Sequence, residues 1–166
     1  MALMVVCTGL AAGPVAGALA QETAPAERPP VKEYTVAIAK TEKSKQSVQA
    51  KQGSYCLPAA DGMGGVCKDA VFPLKDAPVV RVSKGEKITL LFKVPVGYVT
   101  WRTARVHPKT GQEVIVRTGE GEQVTKTKKR WRVTLPKDTR RSVTILGLFV
   151  QYANAYSSFE VGLKVR

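Results

Sequence analysis

Along most of the chain, apolar and polar residues alternate with a period of two, the pattern of β-strands that bury one face. The clearest example is 159–165, where Phe159, Val161, Leu163 and Val165 occupy every second position. Gly, Pro and Asp residues separate the alternating segments, as expected of turns between strands. The predicted strands are 34–38, 47–56, 79–82, 87–94, 98–106, 113–117, 130–135, 142–152 and 159–165.

A series of roughly seven to nine short strands, without a convincing amphipathic helix, predicts an all-β fold. We expect a single antiparallel β-sandwich of two sheets, with a closed barrel as the alternative. Trp101 and Trp131 lie within alternating segments and are predicted to be aromatic residues of the core. The segment 119–122, with two glycines and two glutamates, is predicted to be a polar, flexible loop.

The beginning of the chain differs from the rest. Residues 1–20 carry no charge and end in Ala-Leu-Ala, the small-x-small pattern of a signal-peptidase site. Cys7 lies inside the apolar segment rather than at its end, which disfavours a lipidated cysteine. We therefore predict a signal peptide at 1–20, a disordered, proline-bearing tether at 21–30 and one β-sandwich domain at 31–166. A buried N-terminal helix is the alternative for the first segment.

Two cysteines remain after such a leader, and they enclose a short, glycine-rich segment. Cys56 and Cys67 are separated by residues that turn easily, including three glycines and Pro58. The sequence predicts a structural disulfide between them, which fits an oxidising compartment. The rival interpretations are a zinc site and a redox pair. The chain has one histidine, His107, and the spacing is not C-x-x-C, so no metal and no cofactor are expected.

The residues around these cysteines resemble those of a family of small secreted or lipid-anchored bacterial proteins of uncharacterised function. Those proteins carry G-S-Y-C-W, then G-x-C-x-D, then a P-G-E/Q turn; this chain has Gly-Ser-Tyr-Cys at 53–56, Val-Cys-Lys-Asp at 66–69 and Lys-Gly-Glu at 84–86. It departs from that pattern at Leu57, where tryptophan is usual, and at Lys84, where proline is usual. The resemblance implies a bacterial envelope protein with an immunoglobulin-like sandwich. It implies no activity.

Residues suited to catalysis are sparse. His107 precedes a proline at a turn, which disfavours a Ser-His-Asp or Cys-His arrangement. A glycan hydrolase would need two facing carboxylates, and Asp61, Asp69, Glu113 and Glu120 are the candidates that folding could bring together. There is no phosphate-binding P-loop and no dinucleotide-binding motif. We predict that the protein is not an enzyme and keep glycan hydrolysis as a weaker alternative.

Positive charge is the stronger signal. The formal net charge is +13, and half of the sixteen positions from 126 to 141 are Lys or Arg, with Asp138 the only acid among them. In a strand, Arg130 and Arg132 should share one face and Trp131 should lie on the other. A smaller basic group contains Arg102, Arg105 and Lys109. The predicted anion-binding residues are Lys126, Lys128, Lys129, Arg130, Arg132, Lys137, Arg140 and Arg141.

The compartment decides which anions such a surface would meet. For an exported, envelope-associated protein these are anionic wall polymers and lipid headgroups, with membrane contact no more than peripheral. Nucleic acid is disfavoured, because aromatic residues do not interleave with the cations to form a base-stacking face. The alternative is a protein-interaction sandwich that meets another envelope protein, with a positive charge that only keeps the chain soluble.

Overall fold

The computed structural model describes residues 34, 37–58 and 65–166, and within them every regular element is a strand. The predicted leader (1–20), the predicted tether (21–30) and Asp61 lie outside the described residues. No described segment forms a helix with the length and apolarity needed to cross a membrane. The strands are β1 (Ala37–Thr41), β2 (Ser47–Gln49), β3 (Lys51–Pro58), β4 (Gly65–Lys68), β5 (Val79–Val82), β6 (Lys87–Phe92), β7 (Tyr98–Val106), β8 (Glu113–Glu120), β9 (Glu122–Gln123), β10 (Arg130–Thr134), β11 (Ile145–Gln151) and β12 (Tyr156–Val165).

The strands form two sheets. Sheet A has the order β2-β1-β6-β10-β9, and sheet B has the order β4-β3-β12-β11-β7-β8, with β5 beside the C-terminal half of β12. All neighbouring strands are antiparallel except β5 and β12, which are parallel. The predicted all-β fold of two sheets is therefore confirmed. The immunoglobulin-like arrangement implied by the resemblance stays a prediction.

The core lies between the two sheets and follows the alternation seen in the sequence. In β12 the residues Phe159, Val161, Leu163 and Val165 are all buried, as their spacing predicts. The opposing strands of sheet A contribute residues such as Ile88, Leu90 and Val133. Each fully buried aliphatic or aromatic side chain contributes about 1.5–3 kcal/mol through removal of apolar surface from water. Trp101 and Trp131 both belong to this core, as predicted.

Three local predictions differ from the structure. Twelve strands are present in the described residues, more than the seven to nine expected, because the wholly exposed β4 and the two-residue β9 show no alternating pattern. The predicted strand 47–56 is two strands, since the chain passes from sheet A to sheet B at the buried Ala50. The segment 119–122, predicted to be a loop, is the end of β8 and the start of β9. Its glycines make room for core side chains: a Cβ on Gly119 would lie 2.5 Å from the Trp101 ring.

A connection from residue 69 to residue 78 crosses the outer face of sheet B. Phe72 packs against Gly53, where an added Cβ would lie only 2.7 Å from the Phe72 ring, so this position of the Gly-Ser-Tyr-Cys motif needs glycine. The connection is held by two hydrogen bonds, from the Ala70 N–H to Ser54 Oγ (3.0 Å) and from the Leu74 N–H to Glu160 Oε2 (2.6 Å). The outer face of sheet B is therefore partly covered by this connection.

Candidate functional site

The eight cations predicted to form one basic face lie in three places along β10 and its flanking turns. Lys126, Lys128 and Lys129 lie in the turn before the strand, Arg130 and Arg132 lie within it, and the remaining three lie in the connection after it. Since β10 has five residues and a strand rises about 3.3 Å per residue, the two turns are about 17 Å apart. The remaining three are Lys137, Arg140 and Arg141.

The turn between β9 and β10 has a well-defined backbone. The carbonyl of Lys128 accepts hydrogen bonds from the Val96 N–H (2.9 Å) and from the indole N–H of Trp131 (3.0 Å). Lys128 itself has a positive φ of 56°, and the Lys129 carbonyl accepts the Phe92 N–H at 2.9 Å. These bonds join the turn to the buried Trp131 and to the end of β6. The backbone that carries the cations of the turn is therefore held in one position.

A second segment adds one cation to this turn. Lys93 directly follows Phe92, which is bonded to the turn, and continues the outward-facing positions of β6. All of these cations are exposed, and within the described residues none lies within 4.0 Å of a carboxylate oxygen. We call them the tip cluster: Lys93, Lys126, Lys128, Lys129 and Arg130.

Arg132 differs from the other cations. It shares the outer face of sheet A with Arg130, and Trp131 is buried on the other side, as the alternation predicts. However, Arg132 lies between two carboxylates, with Nε 3.7 Å from Glu42 Oε1 and NH1 3.6 Å from Glu122 Oε2. Its charge is therefore largely offset by its neighbours and is less available to a ligand than that of the tip cluster.

Arg102, from the smaller basic group, forms an ion-pair network on the outer face of sheet B. Its guanidinium makes a bidentate contact with Glu113 (2.8 and 2.9 Å) and reaches Glu160 at 3.5 Å. It can do so because Gly147 lies between Arg102 and Glu160 in the sheet, and a Cβ there would lie 2.9 Å from Arg102 Nε. Phe72 stacks on the guanidinium, 4.8 Å from Cζ to the ring centroid. Because these charges are paired with one another, their geometry indicates a structural role.

The acids considered for glycan hydrolysis are dispersed. Glu113 is bound to Arg102, Glu120 is exposed at the far end of β8, and Asp69 is exposed after β4. Glu160, which is not among these candidates, is 1% exposed and lines a small cavity of about 270 Å³ together with Asp76. Within the described residues, no three or more His, Cys, Asp or Glu side chains are arranged to hold a metal ion.

Burial raises the pKa of Glu160 above its ordinary value, and the nearby Glu113 acts in the same direction, whereas the Leu74 N–H and Arg102 lower it. A carboxyl with a raised pKa binds its proton more tightly in the folded chain. Its contribution to stability is complete below the unfolded-state pKa and is lost as pH rises through the folded-state pKa. We therefore expect the free energy of unfolding of the wild type, relative to Glu160→Gln, to fall as pH rises from about 4.5.

Urea unfolding of both proteins over a pH series would measure this difference. Glutamine at 160 retains an oxygen that can accept the Leu74 N–H, so the variant isolates the titration from the hydrogen bond. Glu122→Gln is the matched control for the loss of one carboxylate, since its side chain is 68% exposed. Wild-type and Glu160→Gln profiles that run parallel across this range would contradict the prediction.

The predicted disulfide is present. Cys56 and Cys67 face each other in the antiparallel pair of β3 and β4, and a disulfide joins them. All four residues of β4 are exposed, so the bridge fastens an edge strand that buries little surface of its own. His107 lies in the turn between β7 and β8, where its Nδ1 accepts the Thr110 N–H at 3.3 Å.

The cations of the tip cluster have no carboxylate partner among the described residues, whereas Arg102 is paired with Glu113 and Glu160. Composition alone does not distinguish these two cases. No family model, no curated protein and no solved structure matches this chain. Function is therefore inferred from the side chains themselves.

Proposed function

We propose that this protein is an exported, non-enzymatic β-sandwich that binds an anionic wall polymer or an anionic lipid surface at the cell envelope. The binding residues are those of the tip cluster. The observation that supports the proposal is a set of five exposed cations, without a carboxylate partner among the described residues, on and beside a turn held by hydrogen bonds to the core. The disulfide supports the exported location, because such bonds persist in oxidising compartments.

A fixed cluster of uncompensated cations suits a polyanion better than a single small ligand. Each lysine offers a strongly hydrated point charge that can contact phosphate or carboxylate groups without a demanding geometry. The turn lies at one end of sheet A, where β6 ends and β10 begins, and its cations are exposed there. Affinity from such contacts falls steeply as salt rises.

The test is co-sedimentation of the oxidised protein with purified cell wall and with anionic liposomes over a salt series. In the variant Lys128→Glu, Lys129→Glu, Arg130→Glu, we expect binding at low salt to weaken about a hundredfold or more, given the contribution of each cation near an anionic surface. Retention on cell wall alone would assign the polymer, and retention on liposomes alone would assign the lipid.

A matched control has the same change in net charge at the opposite end of the sandwich. Lys84→Glu, Lys109→Glu, Lys164→Glu alters three exposed lysines away from the turn and should reduce binding far less than the tip variant. Equal losses of binding in the two variants would show that binding depends only on the net charge of the protein. No binding of the wild type to either material at low salt would overturn the proposal.

A protein partner is the competing class, and one feature favours it. Ile115 and Val116 are 57% and 46% exposed on β8, which ends sheet B and has a partner strand on one side only. An apolar contact through this edge would be little affected by salt, whereas binding through the tip cluster would be lost. Salt-insensitive retention on envelope material would therefore support a protein partner instead.

A further inference from the structure

A cleft at the end of the sandwich opposite the tip cluster collects three arginines. It lies between β7 and β8 on one side and the connection from β10 to β11 on the other, with a volume of about 440 Å³. That size falls within the range of pockets that hold small organic ligands. The arginines come from three separate segments: Arg105 from β7, Arg117 from β8 and Arg140 from the connection.

Two of these arginines occupy positions where a sandwich normally places core residues. Val99, Trp101 and Thr103 of β7 are buried between the sheets, and Arg105 continues the same alternation. Arg117 lies directly opposite Thr103 across the β7–β8 pair and so shares that face. Both guanidinium groups therefore belong to the inner face of sheet B, at the point where the two sheets separate.

An irregularity in β8 contributes to this placement. Thr103 pairs with Arg117 but Ala104 pairs with Ile115, so Val116 is an extra residue in β8. A β-bulge of this kind changes which face the following side chains occupy, and bulges are common beside binding sites. Without the extra residue, regular pairing would put Val116 opposite Thr103, in the position that Arg117 now occupies.

The cleft combines charge with an apolar wall. Beside the arginines, the cleft is lined by the apolar side chains of Val114, Ile115, Val116 and Val143. Among the described residues that line the cleft, Asp138 is the only acid. Asp138 Oδ2 is paired with Arg117 NH2 at 2.5 Å, and both side chains are more than half exposed. Three guanidinium groups and one carboxylate leave two positive charges in excess.

We propose that this cleft is a second binding site, distinct from the tip cluster, that takes an organic phosphate monoester. A phosphate monoester carries a charge of about −1.5 to −2 at neutral pH, which matches the excess. Guanidinium groups bind phosphate oxygens with paired, charge-assisted hydrogen bonds. The valine and isoleucine side chains would pack against the organic part. The phosphate replaces Asp138 as the partner of Arg117.

Isothermal titration calorimetry with glucose 1-phosphate and with inorganic phosphate tests the proposal. Arg105→Gln and Arg140→Gln should each weaken binding of glucose 1-phosphate about tenfold, the loss expected for one charge-assisted contact. Arg117→Gln should weaken it further, because Asp138 is then left uncompensated beside the phosphate. Lys137→Gln and Arg141→Gln, in the same connection but outside the cleft, are the matched controls and should bind as the wild type does.

Asp138→Asn gives a result in the opposite direction. Removing the competing carboxylate should strengthen binding several-fold, an effect that damage to the fold would not produce. Weaker binding in Asp138→Asn, or unchanged binding in the three arginine variants, would overturn the proposal. Tighter binding of glucuronate than of glucose 1-phosphate would also overturn it, in favour of a carboxylate ligand.

The source of the phosphate is resolved by a further comparison. Phosphatidylcholine vesicles that contain phosphatidic acid present a phosphate monoester as a lipid headgroup, and vesicles of phosphatidylcholine alone are the control. These measurements use the tip variant, so that the tip cluster does not itself bind the anionic vesicles. Binding of glucose 1-phosphate without the vesicles assigns a soluble ligand, and binding of phosphatidic acid vesicles that is lost when Arg140→Gln is added assigns a lipid. Binding of neither overturns the proposal. The tip variant should retain full cleft binding, so failure of one proposed site does not carry over to the other.

Discussion

Replacing Arg102 with alanine is expected to lower the free energy of unfolding by about 3–5 kcal/mol, the cost of removing one partner from a buried ion pair. The substitution leaves Glu113 and Glu160 without their counter-charge, and their side chains are only 11% and 1% exposed. The loss of the stacked contact with Phe72 adds to the effect. Urea denaturation followed by tryptophan fluorescence would measure the change in midpoint.

Sheet A provides a matched control for this prediction. Arg132 also lies between two glutamates, but its contacts are 3.6 and 3.7 Å long and those glutamates are 68% and 47% exposed. Exposed pairs of this kind contribute about 0–1 kcal/mol, so Arg132→Ala should be nearly neutral. Adding Glu160→Gln to Arg102→Ala should recover part of the loss by removing the unpaired charge. Equal effects of the two arginine substitutions would refute this reading of the network.

Loss of the disulfide is expected to have the second large effect. The variant Cys56→Ser, Cys67→Ser should lower the free energy of unfolding by about 2–4 kcal/mol, because the bridge restricts the unfolded chain over a separation of 11 residues. The damage should begin locally, since β4 is an edge strand whose residues are all exposed. Chemical denaturation of the oxidised, reduced and serine proteins would measure the loss.

Hydrogen exchange would locate that effect. Amide protons of β4 and of the facing half of β3 should lose protection in the serine variant, whereas those of β10 and β6 in sheet A should change little at low denaturant. A uniform loss of protection in both sheets would show that the bridge stabilises the domain as a whole. An unchanged denaturation midpoint on reduction would contradict the prediction itself.

The sequence predicted best those strands that bury one face and expose the other. β7 and β5 have the predicted limits, and the four apolar residues of β12 are buried together. In each of these strands burial alternates for several residues, so the period of two is visible. β9 has two residues and β4 is wholly exposed, so neither leaves such a pattern. The segment 119–122 was misassigned because its glycines indicate a turn, whereas they are needed to accommodate Trp101 and Val99.

The candidate sites could be predicted only in part from the sequence, for a different reason. The sequence indicated the basic region from 126 to 141, but pairing with carboxylates depends on residues far away in the chain. Arg132 is offset by Glu42, and Arg102 reaches Glu160, 58 residues later. The arginine cleft depends on the extra residue at Val116, which no periodicity reveals because it changes the register between two strands. The alternation of β7 places Arg105 on the inner face, but the position of Arg117 on that face follows only from the pairing of β7 with β8.

The position of β12 has a consequence for the order of events as the chain is synthesised. β12 joins β3, β5 and β11, so sheet B cannot assemble until residues 156–165 have emerged. Partners this distant in sequence give a high contact order and slow folding. Cys56 and Cys67 are near neighbours and are available much earlier. The two cysteines can therefore meet and be oxidised while sheet B is still incomplete.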